Sequence, residues 1–101
     1  MKRRRRELPT TLRSVVVCWR DAHAVTDAWT SFDDLDQDDA LIFTAGFLVP
    51  DAKPGHVVIV QSVSPNSDSL DGVIAIPEEN VYQVRMVGRS VHLEREAKKW
   101  G

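Results

Sequence analysis

The sequence predicts an all-β domain, a small antiparallel barrel or sandwich. Three observations carry that prediction. Between Ala40 and Val87 four short runs follow one another: ALIFTAGFLVP, HVVIVQSVS, GVIAIP and VYQVRMV. Each is rich in β-branched or aromatic residues. The breaks between them, DAKPG, PNSDSLDG and PEEN, are turn chemistry and leave no room for a long helix. A fifth run of the same kind lies upstream, from Ser14 to Arg20. Strands of this length and spacing indicate antiparallel pairing rather than strand–helix–strand units.

A chain of 101 residues, 43% hydrophobic, predicts one domain with a modest core. Such a domain keeps much of its surface in water, and self-association through an edge strand would add burial. No apolar run approaches the ~20 residues that span a bilayer, so no membrane partner is expected. The opening MKRRRRELPTTLRSVVV has no apolar stretch before Pro9, which argues against a secretory signal. Cys18 is the single cysteine. It cannot form an internal disulfide, and within VVVCW it reads as a small core residue rather than a nucleophile. A reducing, cytoplasmic location follows as the expectation.

The net charge of −2 hides a segregation. Lys2, Arg3, Arg4, Arg5 and Arg6 carry +5. The end of the chain, with Arg85, Arg89, Arg95, Lys98 and Lys99 against Glu94 and Glu96, carries +3. Between them, Glu7 to Val84 holds three basic and thirteen acidic residues. Basic ends around an acidic middle point to partners, not to fold.

Taken in order, residues 1–13 are expected to form a flexible basic arm, because clustered arginines repel and bury nothing. The arm reads either as a phosphate-binding segment or as a solubilising tail that folds back on acidic surface. Ser14 to Arg20 is the first strand. In the stretch that follows, Asp21 and His23 are two apart and share a face if the strand continues. Trp29 either closes an end of the barrel or offers its ring as a stacking platform. Thr30 to Leu35 reads as a short helical turn, with Ser31 as a cap and Phe32 and Leu35 facing the barrel. The acidic run Asp33, Asp34, Asp36, Asp38 and Asp39 has the spacing that opens a calcium loop. It lacks the loop glycine, and Ala45 stands where the twelfth-position glutamate belongs, so a solvated acidic loop is the reading.

Gly46 inside the second strand predicts a bulge or sharp bend. Val57 to Val63 is apolar on both faces, which predicts a curved strand serving both the core and an oligomer contact. The expected core comprises Val15, Val17, Phe43, Ile59, Ile74, Ile76, Val84 and Met86. Pro77 to Asn80 predicts one 3₁₀-like turn before the last strand. A strand, such a turn and a final strand are the usual ending of SH3-like and Sm-like barrels, here spanning residues 14–88. Residues 89–101 have two readings. Leu93, Ala97 and Trp100 make a helical stripe with Glu94 set to pair with Lys98. Alternatively the sheet extends through Val91 and Leu93, with Gly88 as a bulge.

The segments VVVCWRDAH, WTSFDDL, GFLVPDAKPGHVVIVQSV and IAIPEENVYQV resemble a group of small, mostly uncharacterised proteins encoded in bacteriophage genomes. The resemblance spans about Ser14 to Val87. It implies a five-stranded SH3-like or Sm-like barrel and a phage or prophage origin, hence the cytoplasm of a bacterial host. It implies no reaction.

Sites of recognised chemistry are absent from the sequence. There is no Gly-rich phosphate loop, no paired-cysteine metal site and no nucleophile elbow. Asp21, His23 and His56 could in principle make a metal site, but their spacing does not require one, so neither metal nor cofactor is expected. An enzyme is not the expectation. Two classes of function lead. One is a binding module that takes nucleic acid through Lys2 to Arg6, Arg89, Arg95, Lys98 and Lys99. The other is a homo-oligomeric interaction protein that binds a host protein or captures a small nucleotide, with Asp21, His23 and Trp29 as a candidate partner face.

Overall fold

The computed structural model describes residues 7–21, 29, 31–33 and 40–100. The expectations placed on Lys2 to Arg6, on His23, on Leu35 and on the acidic run from Asp34 to Asp39 lie outside these residues.

Five strands form one antiparallel sheet: β1 (Thr11–Asp21), β2 (Ala40–Leu48), β3 (His56–Ser64), β4 (Ser69–Pro77) and β5 (Val81–His92). A 3₁₀ turn, Glu78–Asn80, links β4 to β5, and a helix, α1 (Leu93–Trp100), follows β5. The strand order is β4-β3-β2-β1-β5, which leaves β4 and β5 as edges of an open sheet. The first strand pairs antiparallel with the last, from Thr11 opposite His92 to Trp19 opposite Val81.

One sheet face carries the main core. Val15, Val17, Trp19, Ile59 and Ile76 are buried there, with Ile42, Leu48, Val57, Ile74, Val81 and Val84 packed around them. The Trp19 indole N–H donates to Thr44 Oγ1 at 2.9 Å, so the one polar atom of this buried ring is satisfied. Val81 and Val84 both reach this face although they are three positions apart, an odd spacing for one face of a strand. The β1–β5 register slips between Cys18 and Trp19, and the extra residue on β5 resets the alternation.

The opposite face holds a second, smaller cluster of Val49, Val58 and Val60, with Phe47, Ala52 and Val63 against it. Val58 and Val60 are buried on one side of β3 and Ile59 on the other. Both faces of this strand thus join apolar clusters within the chain.

The pairing of β2 with β3 is short. Only Phe47–Val60 and Leu48–Ile59 pair between these strands. A Cβ at Gly46 would lie 2.6 Å from Ile59 Cγ2 and 2.7 Å from the Val60 carbonyl oxygen. Glycine is what lets β3 close on β2 here. On the other side of β3, Gly72 at φ +66° meets Gln61 with the same closeness. Gln61 in turn donates its Nε2 to the Ala45 carbonyl at 3.0 Å, bridging the point where the backbone ladder stops.

Several expectations are corrected. Phe43 is 68% exposed and Met86 52% exposed, so neither is core. Phe43 stands opposite Cys18 on the outer face, because the alternation of β1 sends Val15, Val17 and Trp19 inward. Cys18, half-buried beside it, is likewise outside the core. Met86 sits on β5, an edge strand among the described residues. Trp29 is fully exposed and closes no barrel end, and Phe32 is 84% exposed rather than packed inward.

Candidate nucleic-acid interface

The antiparallel pairing of β1 with β5 gathers both chain ends. Leu93 N–H donates to the Thr10 carbonyl at 3.0 Å, which ties the start of α1 to the residue before β1. Residues 7–10, the β3–β4 turn and α1 enclose an open groove of about 460 Å³, lined by Leu8, Pro9, Asn66, Asp68, Leu93 and Ala97 among others. The turn itself is tight: Asp68 adopts φ 55°, a conformation that aspartate tolerates in turns, and its carboxylate lies 3.4 Å from the Leu8 N–H.

Both readings of the tail hold in part. The sheet does extend through Val91, and Gly88 at φ +69° lies in a bulge, since Leu12 faces Val91 while Ser14 faces Val87. The Arg13 guanidinium donates to the Gly88 carbonyl at 2.9 Å and clamps that bulge. The helix then runs Leu93–Trp100. Its first turn is capped by His92, whose Nδ1 accepts the Arg95 N–H at 3.2 Å. Glu94 and Lys98 meet at 3.6 Å, both well exposed, a pair of little energetic weight. Of the apolar stripe, Leu93 and Ala97 are half-buried and Trp100 is 80% exposed. The Trp100 indole donates to Glu96 Oε2 at 3.2 Å, and the Lys99 ammonium lies 5.5 Å from the ring centroid.

The expected cationic residues Arg89, Arg95, Lys98 and Lys99 are all exposed. They lie on the last part of β5 and on α1, so the structure brings them to the end where the chain enters β1. The side of α1 that faces the groove is not basic, for Glu94 and Glu96 border it together with Glu7 and Asp68. That acidic lining was not foreseen.

Asp21 is half-buried at the end of β1, opposite Ala40, far along the strand from the chain ends. Trp29 is exposed, so its stacking role is open and its packing role is not. The ring of His56 is held through Nδ1 at 2.8 Å from the Pro54 carbonyl. Among the described residues, no group of three or more His, Cys, Asp or Glu side chains is placed to hold a metal ion. No described helix is long and apolar enough to cross a membrane.

Sequence reasoning missed the open part of the outer sheet face. Leu41, Phe43, Gln83, Arg85 and Val87 are exposed there around Val16 and Cys18. The signal was the alternation of β1, which fixes the inward set and therefore the outward one. No protein-family model, curated protein or solved structure matches the chain.

Proposed function

We propose that this protein is a non-enzymatic binding module of the SH3-like or Sm-like barrel class that takes single-stranded nucleic acid at its basic termini. The observation that supports this is the junction of Leu93 with Thr10. It sets α1, with Arg95, Lys98 and Lys99, beside the segment that leads back to Lys2 to Arg6. Arg89 stands one bulge away. In this reading cations from both ends of the sequence serve one pole, while the intervening chain is acidic and repels phosphate. The strand order and the 3₁₀ turn between β4 and β5 favour the barrel class. In this reading the protein is a phage or prophage accessory factor in the cytoplasm of a bacterial host, which the genes beside its own would test. Binding of a labelled oligonucleotide by the full chain, and its loss when Arg95, Lys98 and Lys99 are all changed to Gln, tests the interface. Wild-type affinity in that triple variant would remove α1 from it.

A second reading has its own support. Among the described residues β4 and β5 are unpaired edges, and Val73, Tyr82 and Met86 are exposed along them. Edge pairing between copies would cover these residues and supply burial that a small domain lacks. Light scattering at tens of micromolar distinguishes the cases, since a monomer mass contradicts the oligomer.

A further inference from the structure

We infer that the edge of β5 accepts an extended acidic segment of a partner protein as an added strand, with Arg85 and Arg89 selecting its carboxylates and Met86 its apolar residues. The inference does not depend on the nucleic-acid reading, and it gives this edge an occupant other than a second copy.

The backbone defines what fits. Among the described residues β5 is an edge strand of twelve residues, so one side of its main chain has no ladder. Such a row of N–H and C=O groups is completed by another strand. From Gln83 to Val87 the register with β1 runs without a break, and the stretch has neither glycine nor proline. It is a regular length of edge. β4, the other edge, is guarded. Gly72 kinks it at φ +66°, Asp71 is exposed beside the kink, and Pro77 ends it.

The side chains of this stretch set the pattern of the partner. Val84 and Met86 lie opposite Val17 and Val15, on the core side of the sheet. Val84 packs at the margin of the main core, and Met86 is 52% exposed beside it. A strand laid along β5 places alternate residues there, and apolar ones extend the core over Met86. Arg85 lies opposite Val16, on the other face. The intervening residues of an added strand stand beside it. An alternation of apolar and acidic residues therefore matches both faces at once.

Charge separates the occupants. β5 and the part of β1 it pairs with, Thr11 to Trp19, carry Arg13, Arg85 and Arg89 and no carboxylate. The Arg13 guanidinium is engaged with the Gly88 carbonyl. Arg85 and Arg89 are exposed, and neither guanidinium has a partner among the described residues. Two β5 edges paired with each other would set these arginines against their own kind. Nucleic acid would meet the cations but leave the backbone row unpaired. An acidic strand satisfies both.

The test is fluorescence anisotropy of the full chain with a labelled peptide of about eight residues that alternates valine and glutamate, long enough to cover the regular edge. This peptide should bind, and its valine–lysine counterpart should not. A central proline in the glutamate peptide should weaken binding by at least about tenfold, because it removes a ladder donor. Arg85→Gln should weaken the glutamate peptide about two- to fivefold, the scale of one exposed ion pair. Arg85→Glu should lose the glutamate peptide and gain the lysine one. Both variants should melt as wild type does, since Arg85 is exposed. Bound peptide should slow hydrogen exchange between Gln83 and Val87. No binding at millimolar peptide, wild-type preference in Arg85→Glu, or protection confined to β4 overturns the inference. Equal uptake of the proline peptide also overturns it, leaving charge attraction without strand addition. A chain that light scattering shows paired with itself, and that takes up no peptide, gives the edge to a second copy instead.

Discussion

At the scale of single residues, exposure and close approach separate positions that look alike in sequence. Ile59 and Phe43 are both large apolar strand residues, but one is fully buried and the other is not. Ile59→Ala should destabilise the fold by about 2–5 kcal/mol in chemical denaturation, through lost transfer energy and a cavity beneath β2 and β4. Phe43→Ala should change it by less than about 0.5 kcal/mol. Gly46→Ala is the sharper case. Its new methyl would meet the Val60 carbonyl at 2.7 Å, a backbone atom that cannot swing away. A loss of about 1–3 kcal/mol is expected, the usual cost of overpacking. Four of the nine buried apolar residues described, Val15, Val17, Ile59 and Ile76, were legible as β-branched members of apolar runs. Phe43 and Met86 were misplaced for physical reasons. The run ALIFTAGFL is apolar on both faces, so only pairing with β1 decides which face turns in. Met86 points toward the core side, but it belongs to an edge that nothing described covers.

At the scale of elements, the five strands and the 3₁₀ turn follow from β-branched runs and turn residues, and their ends follow less well. Strand four was expected to begin at Gly72 and strand five to end near Gly88. In the structure both glycines lie inside strands, at φ +66° and +69°. A glycine in a strand reads as a break when it is in fact a kink through which hydrogen bonding resumes. The tail shows the same ambiguity resolved by tertiary contact. Eight residues make a marginal helix in isolation, and α1 persists through the Thr10–Leu93 bond, the His92 cap and the half-buried Leu93 and Ala97. Hydrogen exchange should therefore rank the elements. Amides of β1, paired on both sides, should exchange slowest, and those of α1 orders of magnitude faster, near the local-opening limit. Protection of α1 equal to that of β1 would mean that the helix is docked more firmly than its exposed Trp100 and half-buried stripe allow.

At the scale of the whole molecule, the claim is one of polarity. Pairing of β1 with β5 is what joins the ends of the chain. The second cluster around Val60 and the acidic lining of the terminal groove were not legible. Each depends on which segments meet across the sheet rather than on any local pattern. The resulting molecule carries exposed cations on β5 and α1 at one pole, with an acidic chain between the two basic ends. Salt is the direct probe of that arrangement, because each phosphate neutralised releases counterions and steepens the dependence of affinity on ionic strength. The decisive measurement is the slope of log affinity against log salt for a single-stranded oligonucleotide, compared between the full chain and a chain lacking residues 2–6. The five cations removed should lower the slope by up to about 3.5, at about 0.7 per contact, while the melting temperature stays unchanged. Identical slopes in the two proteins, or no binding by the full chain at low salt, would contradict the basic pole as a nucleic-acid interface.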